Sequence, residues 1–323
     1  MMKALLVVFI AASAAAQTPP IIDMHLHADP ADTNGPPPMA ICPGEAFPTR
    51  DAREEWVQVF TLASKQPPCK SPIWGSLTDE GLMRETLTIM NRRNVVGLAS
   101  GPLLDKWRRA GALRILPALE FGGPPESWPK PDVIRKQLKD GGYRALAEVL
   151  IQYAGVSPSD PRFDPYLAVA EELDIPVGIH MGPGPPGAAY LPEMKTYRAR
   201  LSSPLELEEA LLKHPNLRVW IMHAGWPKID DLLALLWAHP QVYVDTGVID
   251  FAVPRAAFHR YLQRIVEAGF EKRIMFGSDQ MNWAKAIDYA VESINGAPFL
   301  TDEQKRDILY NNAARFLRLD HEH

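Results

Sequence analysis

The chain has 323 residues, 46 % hydrophobic and 23 % charged, an ordinary globular mixture long enough to bury a large core. That apolar content excludes intrinsic disorder, and the absence of a Gly period excludes a collagen-like fibre. The net charge is −5 and no Lys/Arg run exceeds two residues, so the basic footprint of a nucleic-acid binder is missing.

Residues 1–16 read as a cleavable secretory signal. Lys3 gives a positive start, Ala4 to Ala12 is apolar, and Ala14-Ala15-Ala16 offers the small residues of a cleavage site before Gln17. The apolar run is too short for a membrane helix, which takes about 20 residues. No later stretch reaches 18 apolar residues. The expected mature chain, 17–323, is exported (periplasmic or secreted) and has no membrane span.

Eight β-rich runs follow: Ile21–His27, Val95–Ser100, Leu113–Phe121, Tyr143–Gln152, Ile175–Met181, Leu217–His223, Val242–Thr246 and Arg273–Ser278. Helical patterns separate most of them, most clearly at Asp164–Leu173, Pro204–Lys213, Ile229–Ala238 and Pro254–Ala268, with a closing helix over about Asp302–Leu317. Eight βα units predict a single (β/α)8 TIM-type barrel. An open doubly wound sheet is the alternative, but the Gly-rich first loop it usually carries is absent. In Gly182–Gly187, Pro183, Pro185 and Pro186 remove the N–H groups a phosphate would need.

One connection is far longer than the rest. Residues 28–94 start Pro-rich and contain helix-like Arg50–Leu62 and Leu77–Arg93, so they are expected to form a loop or cap insertion after the first strand. Cys42 and Cys69 both lie in it beside prolines, and in an exported chain that pair predicts a disulfide.

The first strand reads Ile21-Ile22-Asp23-Met24-His25-Leu26-His27. Strict alternation puts Asp23, His25 and His27 on one face, where the two histidines can converge on a cation and Asp23 can orient a ligand. His180 and His223 also fall at or near strand ends, each with Gly two residues on. His214 and His239 precede prolines at helix C-termini and read as structural, His259 is mid-helix, and His321 and His323 lie in the tail. Among the acids, Asp279 ends the eighth strand and Glu148 interrupts an apolar fourth strand, where a cation partner would justify a buried carboxylate. Glu120 ends the third strand and can serve in support. Asp245 and Asp250 flank the end of the seventh, as site acids or as capping and loop acids.

Taken together, D-M-H-L-H, the strand-end His180, I-M-H-A-G around His223, F-G-S-D at Asp279 and the closing N-A-A-R-F-L resemble the amidohydrolase superfamily over Pro20 to Leu319. The branch they resemble most is the amidohydrolase-related group that includes aminocarboxymuconate-semialdehyde decarboxylase and pyrone-dicarboxylate lactonase. That resemblance implies His25, His27, His180 and Asp279 as ligands of one metal, and His223 as a second-metal ligand or a catalytic histidine. Many superfamily members carry a carboxylated Lys on the fourth strand. This chain has Glu148 there, so either Glu148 bridges two metals or the site holds one metal with Glu148 behind the ligands.

The donor set suits one or two Zn²⁺, with Mn²⁺ and Fe²⁺ as the other candidates. The expected reaction is hydrolysis of an ester, lactone or amide of a small, ring-containing substrate, with Asp279 moving the proton. Non-oxidative decarboxylation on the same fold is the alternative, and a metal-binding barrel without turnover is the third reading. Substrate contacts are expected from Tyr190 and Arg198 after the fifth strand, Trp226 after the sixth, Asp250 after the seventh, and Asn282 and Trp283 after the eighth. Nothing in the sequence excludes a homo-oligomer.

Overall fold

A computed structural model describes residues 18–182 and 184–319; the expected secretory leader lies outside the described residues. Eight strands run in chain order: β1 (Ile21–His27), β2 (Val95–Ser100), β3 (Ile115–Phe121), β4 (Ala145–Val149), β5 (Val177–His180), β6 (Val219–Met222), β7 (Val242–Asp245) and β8 (Ile274–Met275). Each pairs in parallel with the next. Met24 N donates to Phe276 O (2.9 Å) and Asp279 N to His25 O (2.7 Å), which brings the last strand back to the first. The result is the expected TIM-type barrel, nearly closed.

Several strands are shorter than the sequence pattern suggests, and the backbone hydrogen bonds show why. β8 stops at Met275 because Phe276 N turns away to Ile308 O (2.8 Å). β4 stops at Val149 because the chain coils at once into a 3-10 turn, Ile151–Ala154. A 3-10 turn at Ala112–Arg114 likewise removes the start of the expected third strand, and His223 leaves β6 to open the turn His223–Gly225. Helices at Asp164–Glu172, Ile229–Ala238 and Arg255–Glu267 match expectation. The expected Pro204–Lys213 splits into 3-10 and α pieces, and the closing helix passes through a π turn at Asp307–Asn311. Helices at Leu104–Gly111, Pro131–Asp140 and Ala286–Asn295 complete the outer layer.

Two apolar layers result. The outer cluster joins strands to the surrounding helices and includes Leu26, Leu146 and Val149. The inner one draws Ile22, Met24, Leu98, Ala118, Ala145, Ala147, Trp220, Met222 and Met275 from six strands, with only the closing helix added through Phe316 and its neighbours. Trp220 fills the lumen where Gly178 leaves room; a Cβ at Gly178 would overlap its ring.

The expected alternation of faces along β1 fails. The register shifts between Asp23 and Leu26, so Met24 packs in the lumen and the next residue, His25, still joins the site. β4 shifts between Leu146 and Val149, which does the same for Ala147 and Glu148. Bulges of this kind re-aim single side chains beside functional sites.

Residues 28–94 carry a short antiparallel pair, Ala40–Ile41 with Ile73–Trp74, and helices Trp56–Lys65 and Asp79–Arg93. The helix expected from Arg50 begins only at Trp56. Ahead of it the Asp51 and Glu54 side chains accept backbone N–H bonds from Arg53 (2.8 Å) and Asp51 (2.9 Å), which fixes a turn instead. Cys42 and Cys69 form the expected disulfide, with Cα atoms 5.8 Å apart. Among the described residues, no helix is long and apolar enough to cross a membrane.

Candidate metal centre

The C-terminal ends of the strands gather His25, His27, Glu148, His180, His223 and Asp279 in a buried cluster. Their ligand atoms meet in overlapping sets: His25, His27 and Glu148; Glu148, His180 and His223; and His25, His223 and Asp245, each within 4.8 Å. Glu148 lies between two of these sets. Its Oε2 is 3.5 Å from Nε2 of both His25 and His27, while its Oε1 is 3.6 Å from His223 Nε2. Asp279 Oδ1 is 3.1 Å from His27 Nε2 and 3.8 Å from His25 Nε2. The His180 and His223 rings stand edge to face, 4.5 Å apart.

The four imidazoles share one orientation. Each Nδ1 faces an oxygen: Gln152 Oε1 for His180 (2.6 Å), Gly247 O for His223 (2.9 Å), Asp245 Oδ2 for His25 (3.4 Å) and Asp29 Oδ2 for His27 (3.6 Å). Each Nε2 faces the centre. For His180 and His223 that contact is a hydrogen bond, the way the far nitrogen of a metal-binding histidine is typically held, whereas Nδ1 of His25 and of His27 are buried without a hydrogen-bond partner. The Nε2 atoms of His25 and His223 are buried without a hydrogen-bond partner. Buried polar atoms of native structures are rarely left so, and a cation among them accounts for both. The residues therefore fit a divalent ion chemically.

Electrostatics agree. Burial pulls the His25 imidazole down, but Asp279, Asp245 and Glu148 outweigh it and hold it well above its usual value. His27 is raised to about 9 against the same burial, chiefly by Asp279, with Asp29 and Glu148 adding. Anions that draw protons onto these rings draw cations as well. His180 differs: burial, reinforced by His223, lowers it to about 3, which keeps its imidazole neutral.

Asp245, left open in the sequence as a site or loop acid, is the floor of the cluster. It accepts from His223 N (3.0 Å), Gly247 N (2.9 Å) and Trp220 Nε1 (3.0 Å). Asp23 accepts from His25 N (3.0 Å) and Ser278 N (2.8 Å), tying β1 to the loop after β8, and burial raises its carboxyl to about 6. Glu120 is exposed at the end of β3; crowding by protein, then Asp29 and Glu148, push it up to about 7 against the pull of His27.

The residues expected to contact substrate have varied surroundings. Tyr190 is 62 % exposed under the Arg50 guanidinium. Arg198 is exposed and donates to Lys195 O and Tyr197 O. Trp226 is half-buried against the outer core. Asp250 is fully buried and accepts from Thr246 Oγ1 (3.0 Å). Asn282 accepts from Asn34 Nδ2 (2.9 Å), and Trp283 donates to Met39 O (3.0 Å), so both tie residues 28–94 to the loop after β8. Sequence reasoning missed Gln152 and Tyr153, whose Oη lies 2.9 Å from His180 Nε2. It also missed Asp29 behind His27, and Gln280, which brackets the His27 backbone through N (3.0 Å) and O (2.6 Å). Gln152 was hidden inside a run that reads as strand; Asp29 extends the D-x-H-x-H alternation by one step.

No curated protein matches the sequence. Among solved structures, an uncharacterised TIM-barrel protein from Bordetella bronchiseptica is 17 % identical, with a TM-score of 0.62 over 94 % of this chain and 100 % of that one. A dihydroxybenzoic acid decarboxylase from a Polaromonas species, solved with manganese and 2-nitroresorcinol, is 13 % identical, TM-score 0.55, over 93 % and 97 %. A putative 2-pyrone-4,6-dicarboxylic acid hydrolase from Pseudomonas putida is 13 % identical, TM-score 0.56, over 93 % and 98 %. At these identities the likeness is one of fold. The amidohydrolase family model, however, matches residues 22–319, which is nearly the whole described chain and spans every residue of the cluster, so the protein belongs to the amidohydrolase family.

Proposed function

We propose that the protein is a metal-dependent hydrolase that cleaves an ester, lactone or amide bond in a small, ring-containing molecule. The observation that carries this reading is the convergence of four buried histidines, Nδ1 of His180 and His223 held by acceptors and Nε2 of His25, His27 and His223 turned toward Glu148, whose two oxygens meet different histidines. His25, His27, His180, His223, Glu148 and Asp279 would hold one or two divalent ions, with zinc suiting the imidazole and carboxylate donors and manganese or iron as alternatives. Such an ion would supply the Lewis acidity that makes hydroxide available near neutral pH. Asp279 takes up a proton and returns it to the leaving group. His223 donates through Nδ1 to Gly247 O, so in its neutral form Nε2 is a lone pair; that favours a ligand over a hydrogen-bond donor to substrate. Elemental analysis of protein purified without chelators, followed by a panel of esters, lactones and amides, tests the reading. Metal well below one equivalent with full activity would sink it.

Decarboxylation is the second reading, favoured by the activity named for the manganese-bound Polaromonas neighbour. Adding hydroxybenzoates to the panel separates the two. Bound metal with no turnover on either group of compounds would leave a binding barrel.

The disulfide supports export, with residues 1–16 as the cleaved signal; N-terminal sequencing of the exported protein checks this. Asn34 and Met39 bind the loop after β8, and Trp56 Nε1 donates to Pro186 O (2.8 Å) after β5, which supports residues 28–94 as a cap beside the strand ends.

A further inference from the structure

One short turn, Ile151–Ala154, supplies both partners of His180. Gln152 Nε2 donates to Gly182 O (2.9 Å), and a carbonyl oxygen can only accept. The other end of that amide is therefore Oε1, and its 2.6 Å bond to His180 takes the proton of Nδ1. His180 Nε2 is left as a lone pair, so the 2.9 Å contact from Tyr153 Oη is an O–H donating to it. The Tyr153 ring is anchored against His180, with centroids 4.5 Å apart, and lies 6.4 Å from the Tyr197 ring. A phenol ordinarily keeps its proton at neutral pH, so Tyr153 is an O–H donor there.

That arrangement conflicts with metal binding at one atom. His180 Nε2 has a single lone pair, and an O–H and a cation cannot both take it. We infer that Tyr153 serves two states in turn: it caps His180 Nε2 in the metal-free protein and, once that lone pair is taken, offers its O–H to the carbonyl oxygen of the substrate. The inference rests on the metal-hydrolase reading above. It is supported by what the neighbours can do. The carboxylates Glu148 and Asp279 offer acceptor oxygens, and a His223 that ligates through Nε2 has its one N–H on Gly247 O. Charge developing on a carbonyl oxygen needs a preorganised donor, and Tyr153 is the neutral hydroxyl already facing the cluster.

The test is a zinc titration of chelator-treated protein, wild type and Tyr153→Phe, followed by near-ultraviolet tyrosine absorption, with kinetics on an activated ester. The expected wild-type result is a tyrosine difference signal that saturates with zinc and is missing in Tyr153→Phe. The variant should bind zinc at least as tightly, because the competing hydrogen bond is gone. Its kcat should fall about a hundredfold, the typical loss for one oxyanion donor, with KM little changed. Loss of zinc in Tyr153→Phe would overturn the inference, since the hydroxyl would then merely hold His180 in place. So would wild-type kcat in the zinc-loaded variant, zinc binding without the difference signal, or zinc-loaded wild type inert on the whole ester, lactone and amide panel. The first three outcomes leave the metal-hydrolase reading standing, whereas an inert zinc-loaded wild type, or wild type that binds none of zinc, manganese and iron, removes that reading and this inference with it.

Discussion

Glu148 is the residue on which the stoichiometry of the centre turns. Its oxygens divide between the His25/His27 side and the His223 side, the geometry of a bridging carboxylate. Glu148→Gln keeps the shape and removes the charge that lets one group serve two cations. In a two-metal site, elemental analysis should show the content fall toward one ion per chain while activity collapses; in a one-metal site the content should not change. Asp279 has a different task. Within 4 Å of three histidines, it is placed both to bind and to move a proton, so Asp279→Asn should lower turnover at least about a hundredfold. His223 meets the other oxygen of Glu148 than the β1 pair does, with its ring 5.0 Å from that of His25. His223→Asn should cripple turnover yet leave the ion at His25 and His27, and complete loss of metal would make His223 a primary ligand.

At the scale of elements, the site is built where regular strands break. Bulges in β1 and β4 let Met24 and Ala147 fill the lumen while their successors, His25 and Glu148, reach the cluster. His223 and Asp279 sit in left-handed backbone just beyond β6 and β8, at φ 59° and 50°. Such strain is held only where surrounding contacts over-determine it. The loop after β7 must also come very close: a Cβ on Gly247 would lie 2.5 Å from His25 Nδ1 and 3.1 Å from Asp245 Oδ1. Gly247→Ala should therefore push the His25 ring out of its place beside Asp245 and weaken zinc affinity about 10- to 100-fold, the usual cost of disturbing the groups behind a metal ligand, as a competition titration would show. This explains what the sequence did and did not disclose. Runs of apolar residues between helical patterns were enough for the barrel, and histidines at run ends for the candidate ligands. Strict alternation predicts Met24 and His25 on opposite faces, whereas a bulge turns both inward. Gln152 and Tyr153 were obscured because the turn that carries them is as apolar as the strand before it. Position after the strands nominates the substrate-contact candidates, and position alone does not reveal that Asn282 and Trp283 bond to Asn34 and Met39.

For the whole molecule, the disulfide separates the stability of the barrel from that of the segment beside its mouth. Cys42 and Cys69 are 27 positions apart, and the chain-entropy model assigns roughly 3.6 kcal/mol to closing a loop of about 28 residues, less any strain. A barrel with two apolar layers of its own does not depend on that amount. The segment has less to lean on. Its Ala40–Ile41 and Ile73–Trp74 pair is only two residues long on each side, and helix Trp56–Lys65 buries just Trp56 and Ser64. It is tied to the barrel loops by a few hydrogen bonds, Asn34 to Asn282, Trp283 to Met39, Trp56 to Pro186 and Gly44 N to Phe251 O, and by a small apolar cluster of Ile41 and Ile73 with Phe251, Ala252 and Trp283. Opening the Cys42–Cys69 loop gives the unfolded segment back its entropy and leaves only those contacts to hold it. Reduction, or Cys42→Ser with Cys69→Ser, should therefore raise protease sensitivity within residues 36–72 and raise KM, while metal content and the main unfolding transition stay near wild type. Limited proteolysis, elemental analysis and calorimetry of the same preparation read all three. Loss of metal together with the segment would show that the cap shapes the centre itself, and an unchanged proteolysis pattern would show that packing against the loops after β5 and β8 suffices without the disulfide.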